Sequence, residues 1–439
     1  MSQDDHRTIN VERRAHPSRR GRGRVALAAA LVLGLGVAGC GSDDSSGDEA
    51  KAPAGSTSTA VADLPGKDVS DADLQQAIRR AFFADVPVDE IDPVMVSALR
   101  VAAQPLTPEQ QAKLAECIGK AECDTGRGDL VVGIADPFGG IPWRQQARVE
   151  ATAQALAYPQ VRKIIYTDGN ANQQQSLANF RSLMSRDVDV IVGYFDFASS
   201  MLNLIKQAHQ RGISVVPYIG PVPGARGGTD IATQVLPDLC AAGTNMAKRA
   251  VDAGGEHKAA ALFTGIPGNA STPWQDCAKK ELESNGWKVA HQGNTKWTPQ
   301  GEISAGSELI STGKPVDAIL YDNTGANFFV PYKRAKRPVP VIISWANSNQ
   351  YYKAWKALPK GSRPNFIING QTWTPRPAVT AGIERELGNE VSDQIVLPQP
   401  IVDTADAMTY VEDTLDLPDG YAPATFAPID IVKQALGAK

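Results

Sequence analysis

From Asp129 onward, short β-branched apolar runs alternate with longer stretches of helical periodicity, and no other feature constrains the fold as tightly. The runs fall at 130–134, 161–166, 188–194 and 213–219. After a break near residue 230 they resume at 259–264, 316–321, 339–345 and 366–369. Strands apolar on both faces, each followed by a helix-length segment, predict parallel sheets covered by helices on both sides. Helix starts are read at Thr272-Pro273, Thr298-Pro299 and Thr374-Pro375, a cap followed by a first-turn proline. The expected class is α/β, with two doubly wound parallel-sheet lobes in sequence whose polar strand ends meet at a crevice.

The N-terminus sets the compartment. Residues 25–38 are a 14-residue apolar run preceded by seven arginines (Arg7, Arg13, Arg14, Arg19, Arg20, Arg22 and Arg24) and no lysine. A basic region, a short apolar region and small residues before a cut define a secretory signal peptide, and the run is too short to span a bilayer. Val37-Ala38-Gly39-Cys40 resembles the bacterial lipobox. That resemblance implies cleavage before Cys40 and acylation of its thiol, and two acyl chains are enough for stable anchoring. The expected location is extracytoplasmic, on the cell membrane, as a lipoprotein.

Removing residues 1–39 of the 439 leaves 400, enough for two domains with real cores. The expected organisation is a signal peptide (1–39), a Ser/Gly/Ala/Pro-rich flexible tether (40–68) and a helical extension (69–128). Lobe 1 (129–233, completed by about 372–402) and lobe 2 (234–371) follow, then a tail (403–439) packing on the lobes. In the extension, Ser70 and Thr107-Pro108-Glu109-Gln110 are read as helix starts. The net charge of −4 includes the signal arginines, so the mature chain is more acidic still. No basic stripe or motif points to nucleic acid. Export makes disulfides persistent, and Cys117–Cys123 with Cys240–Cys277 is the most economical of three pairings. The histidines are scattered, so neither a metal site nor a cofactor is expected.

Polar and aromatic residues cluster at the strand ends. Asp136-Pro137-Phe138 follows the first strand, Asp168-Gly169-Asn170 the second, and Asp196 between two phenylalanines the third. The second unit adds Trp274-Gln275, Asp322-Asn323, Trp345-Ala346-Asn347 and Gln371-Thr372-Trp373. Carboxylates and amides can bridge vicinal hydroxyls while aromatic faces take the C–H side of a ring, which suits a polyol. With Trp143, the candidate ligand-binding set is Phe138, Trp143, Asp168, Asp196, Trp274, Gln275, Asn323, Trp345, Asn347, Gln371 and Trp373.

These stretches, together with Asp187-Val188-Asp189-Val190-Ile191-Val192, Arg211-Gly212-Ile213-Ser214-Val215-Val216-Pro217 and Asp317-Ala318-Ile319-Leu320-Tyr321-Asp322-Asn323, carry a family resemblance. Residues from about 129 to 402 resemble the type I periplasmic binding fold, in the ribose-binding-like branch of sugar receptors of ABC transporters. The resemblance implies two lobes closing on a ligand about a hinge crossed near 230–237, 369–372 and 400–403. It places Phe138 as the stacking aromatic, Asp196 as the lobe-one carboxylate, Asn323 as the lobe-two amide and Gln371 as the hinge glutamine. The sequence departs from the family in three places. Ile219-Gly220 stands where the family has Asp-Arg, the lobe-two arginine is replaced around Pro273-Trp274-Gln275, and Ala346 beside Asn347 replaces a carboxylate. Losing cationic forks while gaining tryptophans points to a larger or less polar ligand than a plain pentose.

The expected function is therefore a surface-anchored receptor, a monomer and not an enzyme, that delivers a sugar or polyol-like ligand to an ABC permease. The alternative is the ligand-binding lobe of a membrane sensor. A secreted hydrolase is a remote reading, since no nucleophile elbow, P-loop or dinucleotide fingerprint is present.

Overall fold

The computed structural model describes residues 64–359, 365–368 and 371–437; the signal peptide, Cys40 and most of the tether lie outside them. The first sheet holds β1 (Glu122–Asp124), β2 (Leu130–Asp136), β3 (Val161–Asp168), β4 (Val190–Gly193) and β5 (Ser214–Pro217), in the order β1-β3-β2-β4-β5. All its pairings are parallel except that of β1 with β3. Successive side chains of a strand point to opposite faces, and here both faces are apolar. Val131, Ile191 and Val215 join one buried cluster with Phe180, Met201 and Ile205. Val132, Val190 and Val216 join another on the opposite face.

β6 (Val235–Pro237) leads out of this lobe. The second sheet follows with β7 (Ala259–Thr264), β8 (Lys288–Asn294), β9 (Ala318–Tyr321), β10 (Val341–Ser344) and β11 (Phe366–Ile368). β12 (Ile395–Leu397) returns to pair in parallel with β6, and β13 (Ile401–Asp403) adds antiparallel to β11. The second sheet therefore runs β13-β11-β10-β9-β7-β8. In each sheet the chain reverses its winding beside the first core strand, between β2 and β4 and between β7 and β9. Switch points of this kind open a crevice at the carboxyl ends of the strands.

The structure corrects several boundaries. β13 belongs to the second sheet, so the lobe-one return ends before residue 401. The described residues begin at Leu64, inside the span assigned to the tether; Leu64 packs on the core, and the Gly66 amide donates to Gln104. The extension is not wholly helical. Helices Asp71–Phe82, Pro93–Ala103 and Pro108–Ile118 are followed by β1, which extends the first sheet. Ser70 caps the first helix and Thr107 with Gln110 forms a capping box on the third, as the sequence predicted.

Both predicted disulfides are present, Cys117–Cys123 tying the third helix to β1 and Cys240–Cys277 joining two lobe-two helices with Cα atoms 5.2 Å apart. Thr298 caps its helix as expected. Helix Trp274–Ser284 has no side-chain cap, and Thr374 donates instead to the Gln371 carbonyl at 2.8 Å. Among the described residues no helix is long and apolar enough to cross a membrane.

The tail crosses between the lobes a fourth time. On lobe two, the Asn349 and Gln350 amides donate to the Tyr421 and Asp419 carbonyls at 2.8 and 3.0 Å. On lobe one, Gln146 brackets the same segment, donating to Gly420 O at 2.9 Å and accepting from the Ala422 amide at 3.0 Å. Buried Glu150 then accepts from the Thr425 hydroxyl and from the Phe426 and Ala427 amides.

Candidate functional site

Between the lobes lies a cleft lined by residues of both. Lobe one contributes Trp143, Arg144, Tyr194 and Ile219 to its walls; lobe two contributes Ser271, Trp297, Asp322, Asn323 and Trp345. Gln371 lines it from the hinge, where its Nε2 donates to Pro398 O at 2.9 Å and its Oε1 accepts from Gln399 at 2.7 Å. The lobes touch across the cleft. The Tyr194 hydroxyl donates to Ser271 Oγ at 3.1 Å, and Phe138 meets Trp297 edge-to-face at 5.6 Å.

The cation in this cleft comes from the helix Pro142–Ala157, not from a strand end. Arg144 sits in that helix's first turn, where the helix dipole disfavours positive charge. Two carboxylates hold it there: Asp196 accepts from its NH2 at 2.6 Å, and Asp136 lies 3.8 Å from its NH1. Its guanidinium also lies 3.8 Å from the Tyr194 ring centroid. Burial works against the charge, but Asp196 and Asp136 outweigh it, so Arg144 is held above its ordinary pKa. Burial pushes Asp196 up to about 6, only partly offset by Arg144. Arg144 NH1 and Asp196 Oδ1 are buried without hydrogen-bond partners among the described residues. The loss of cationic forks read from Ile219-Gly220 is thus made good from another element.

Lobe two supplies the opposite wall. Asp322 follows β9 and accepts from the Thr264 hydroxyl and from Trp297 Nε1, the latter at 2.9 Å. Its enclosure raises it to about 6, against those hydrogen bonds. Trp297 lies flat over Gly265, where a Cβ would come within 1.9 Å of the indole. Three non-glycine residues that line the cleft have positive φ: Ile219 (63°), Trp297 (51°) and Gln371 (48°). Backbone strain of this kind persists only where the surroundings over-determine it.

A second chamber adjoins the first, and Ile141, Trp143, Trp297 and Asn323 line both. Asn347 faces this chamber. Its buried acid, Glu302, accepts from the Asn327 amide and Nδ2 at 2.9 and 3.0 Å, yet burial raises it to about 7.

Of the predicted site residues, Trp143, Asn323, Trp345, Asn347 and Gln371 line these chambers, and Phe138 packs behind Trp297. Asp196 stands behind Arg144 and reaches the cleft through it. The other four are placed elsewhere. Asp168 Oδ1 accepts from the Gly139 and Asn170 amides at 3.0 and 2.8 Å, building the loop after β2. Trp274 is fully buried in the lobe-two core against Trp345, and Gln275 follows it in the same helix. Trp373 anchors the extension: its Nε1 donates to Ala81 O at 3.0 Å and its ring meets Phe82 edge-on at 5.2 Å. Arg144, Tyr194, Ser271 and Trp297 were not foreseen as site residues. A signal for Trp297 existed in its position just before the Thr298-Pro299 helix start. Among the described residues no group of three or more His, Cys, Asp or Glu is placed to hold a metal ion.

Two α/β lobes with an aromatic, polar-edged cleft between their strand ends define a two-lobed binding protein of the type I periplasmic class. The sequence agrees: residues 132–358, more than half of the chain, match the periplasmic binding protein domain family, and the chain belongs to it. That family is one of extracytoplasmic binding proteins rather than enzymes. Among solved structures, the arabinose ABC-transporter component of Shewanella sp. ANA-3 is similar at TM-score 0.58 and 17% identity, covering 64% of this chain and 95% of that one. A galactofuranose binding protein is similar at TM-score 0.59 and 15% identity, covering 67% and 100%. The fructose-binding periplasmic domain of a hybrid two-component system is similar at TM-score 0.54 and 15% identity, covering 65% and 95%. No curated protein matches the sequence.

Proposed function

We propose that the mature protein is a receptor, tethered at the membrane through acylated Cys40, that closes its two lobes on one sugar or polyol and delivers it to an ABC permease. The cleft carries the reading. Trp143, Trp297 and Trp345 offer ring faces for an apolar C–H surface, and Arg144, Asp322, Asn323 and Gln371 offer donors and acceptors for hydroxyls. Structures of the same fold hold L-arabinofuranose, D-allose and myo-inositol. A thermal-shift screen of furanoses, pyranoses and cyclitols tests it. A ligand at a hundredfold excess over Kd stabilises the folded state by about 2.7 kcal/mol, a readily measured shift. Folded protein silent across the whole panel would overturn the reading.

A further inference from the structure

Trp143 from lobe one and Trp297 from lobe two line both chambers, so together they form a neck between them. Beyond the neck the walls carry a connected run of hydroxyl-matching groups. Glu302 accepts from Asn327, whose Oδ1 accepts from Gln350 Nε2 at 3.0 Å, and Asn347 lines the same space. Asn and Gln side chains each present a donor and an acceptor, the complement of a ring bearing several hydroxyls. The tail adds Asp419 and Gly420 to this lining, held to both lobes by the Gln350 amide and by Gln146. The second chamber therefore sets a few polar side chains into a mostly apolar lining, which suits the hydroxyls and the C–H face of a sugar ring together.

We infer that the cleft takes a two-unit ligand, a disaccharide or comparable glycoside, with one ring in the first chamber, the linkage between Trp143 and Trp297, and the second ring against Asn347 and Gln350. This rests on the receptor reading above and goes beyond it.

Calorimetry with matched sets tests it: glucose with maltose, cellobiose and trehalose; galactose with lactose and melibiose; arabinose with arabinobiose. The expected result is a disaccharide bound at least about tenfold more tightly than either constituent, the equivalent of ~1.4 kcal/mol. Thr324→Trp, which fills the second chamber from its wall, should erase that gain and leave monosaccharide affinity unchanged. Gln350→Ala gives the same comparison, with a smaller loss, should the bulky variant fail to fold. Monosaccharides binding as well as every disaccharide would overturn the inference and leave the receptor reading standing. Binding of neither class would overturn both.

Discussion

Arg144 donates to Asp196 at 2.6 Å with both side chains buried, so the principal cation of the cleft and its counter-charge come from the same lobe. Asp196 therefore acts on the cleft by holding Arg144. Removing one partner of a buried pair leaves an uncompensated charge and costs about 3–5 kcal/mol. Asp196→Asn should lower the urea midpoint of the unliganded protein and weaken ligand binding as well. The double variant Arg144→Met/Asp196→Leu should be less damaging to stability than either single change. An unchanged midpoint in Asp196→Asn would show that the two groups are not a buried pair.

Glu302 gives the protein a pH signature. Its folded pKa is about 7 against an ordinary 4.5, so between those values the folded chain holds a proton that the unfolded chain has released. Its contribution to stability is therefore complete below about pH 4.5 and is lost as pH rises through 7. Glutamine mimics the protonated acid and keeps an acceptor for Asn327. Glu302→Gln should match the wild type at pH 4.5 and melt higher at pH 8. Parallel melting curves across that range would contradict the assignment.

The parallel strands β2, β4, β5, β7 and β9 to β11 were legible because both their faces are buried and their runs are largely apolar, and β3 through its central Ile164-Ile165-Tyr166. β8 was not, since it is a sheet edge carrying His291, Gln292 and Gly293, and the three-residue strands β1, β6, β12 and β13 are too short to show a period. The same limits shaped the site. Trp345, Asn323 and Gln371 were readable as strand-end residues, whereas Trp297 follows the unseen β8. Arg144 was missed because a cation was sought after the fourth strand and the helix Pro142–Ala157 supplies it. Trp274 and Trp373 show the converse. A tryptophan beside a strand end serves a core as readily as a cleft, and only packing separates the two.

Trp373 should accordingly be a stability residue. Truncating a buried tryptophan costs about 3–5 kcal/mol, and here it also removes the bond to Ala81 that docks the extension. Trp373→Ala should lower the melting temperature and expose residues 71–103 to proteolysis, with ligand affinity retained where the protein stays folded. Loss of affinity at full stability would put Trp373 in the site after all.

The Cys240–Cys277 bridge spans 37 positions. In the chain-entropy account a loop of that length stabilises by ~4 kcal/mol, and the six-position Cys117–Cys123 loop by less. Replacing Cys240 and Cys277 together by alanine should lower the denaturant midpoint more than replacing Cys117 and Cys123. The reverse order would mean that tying β1 to its helix matters more than loop closure.

One solute per chain is expected between the lobes, held against Trp143 and Trp297. Titration calorimetry of the best thermal-shift hit, on wild type and on Trp297→Ala, measures this directly. One site per chain is expected in the wild type, with affinity reduced at least about tenfold, or ~1.4 kcal/mol, in a variant that still folds. Unchanged affinity in folded Trp297→Ala would place the ligand outside the cleft and contradict the account.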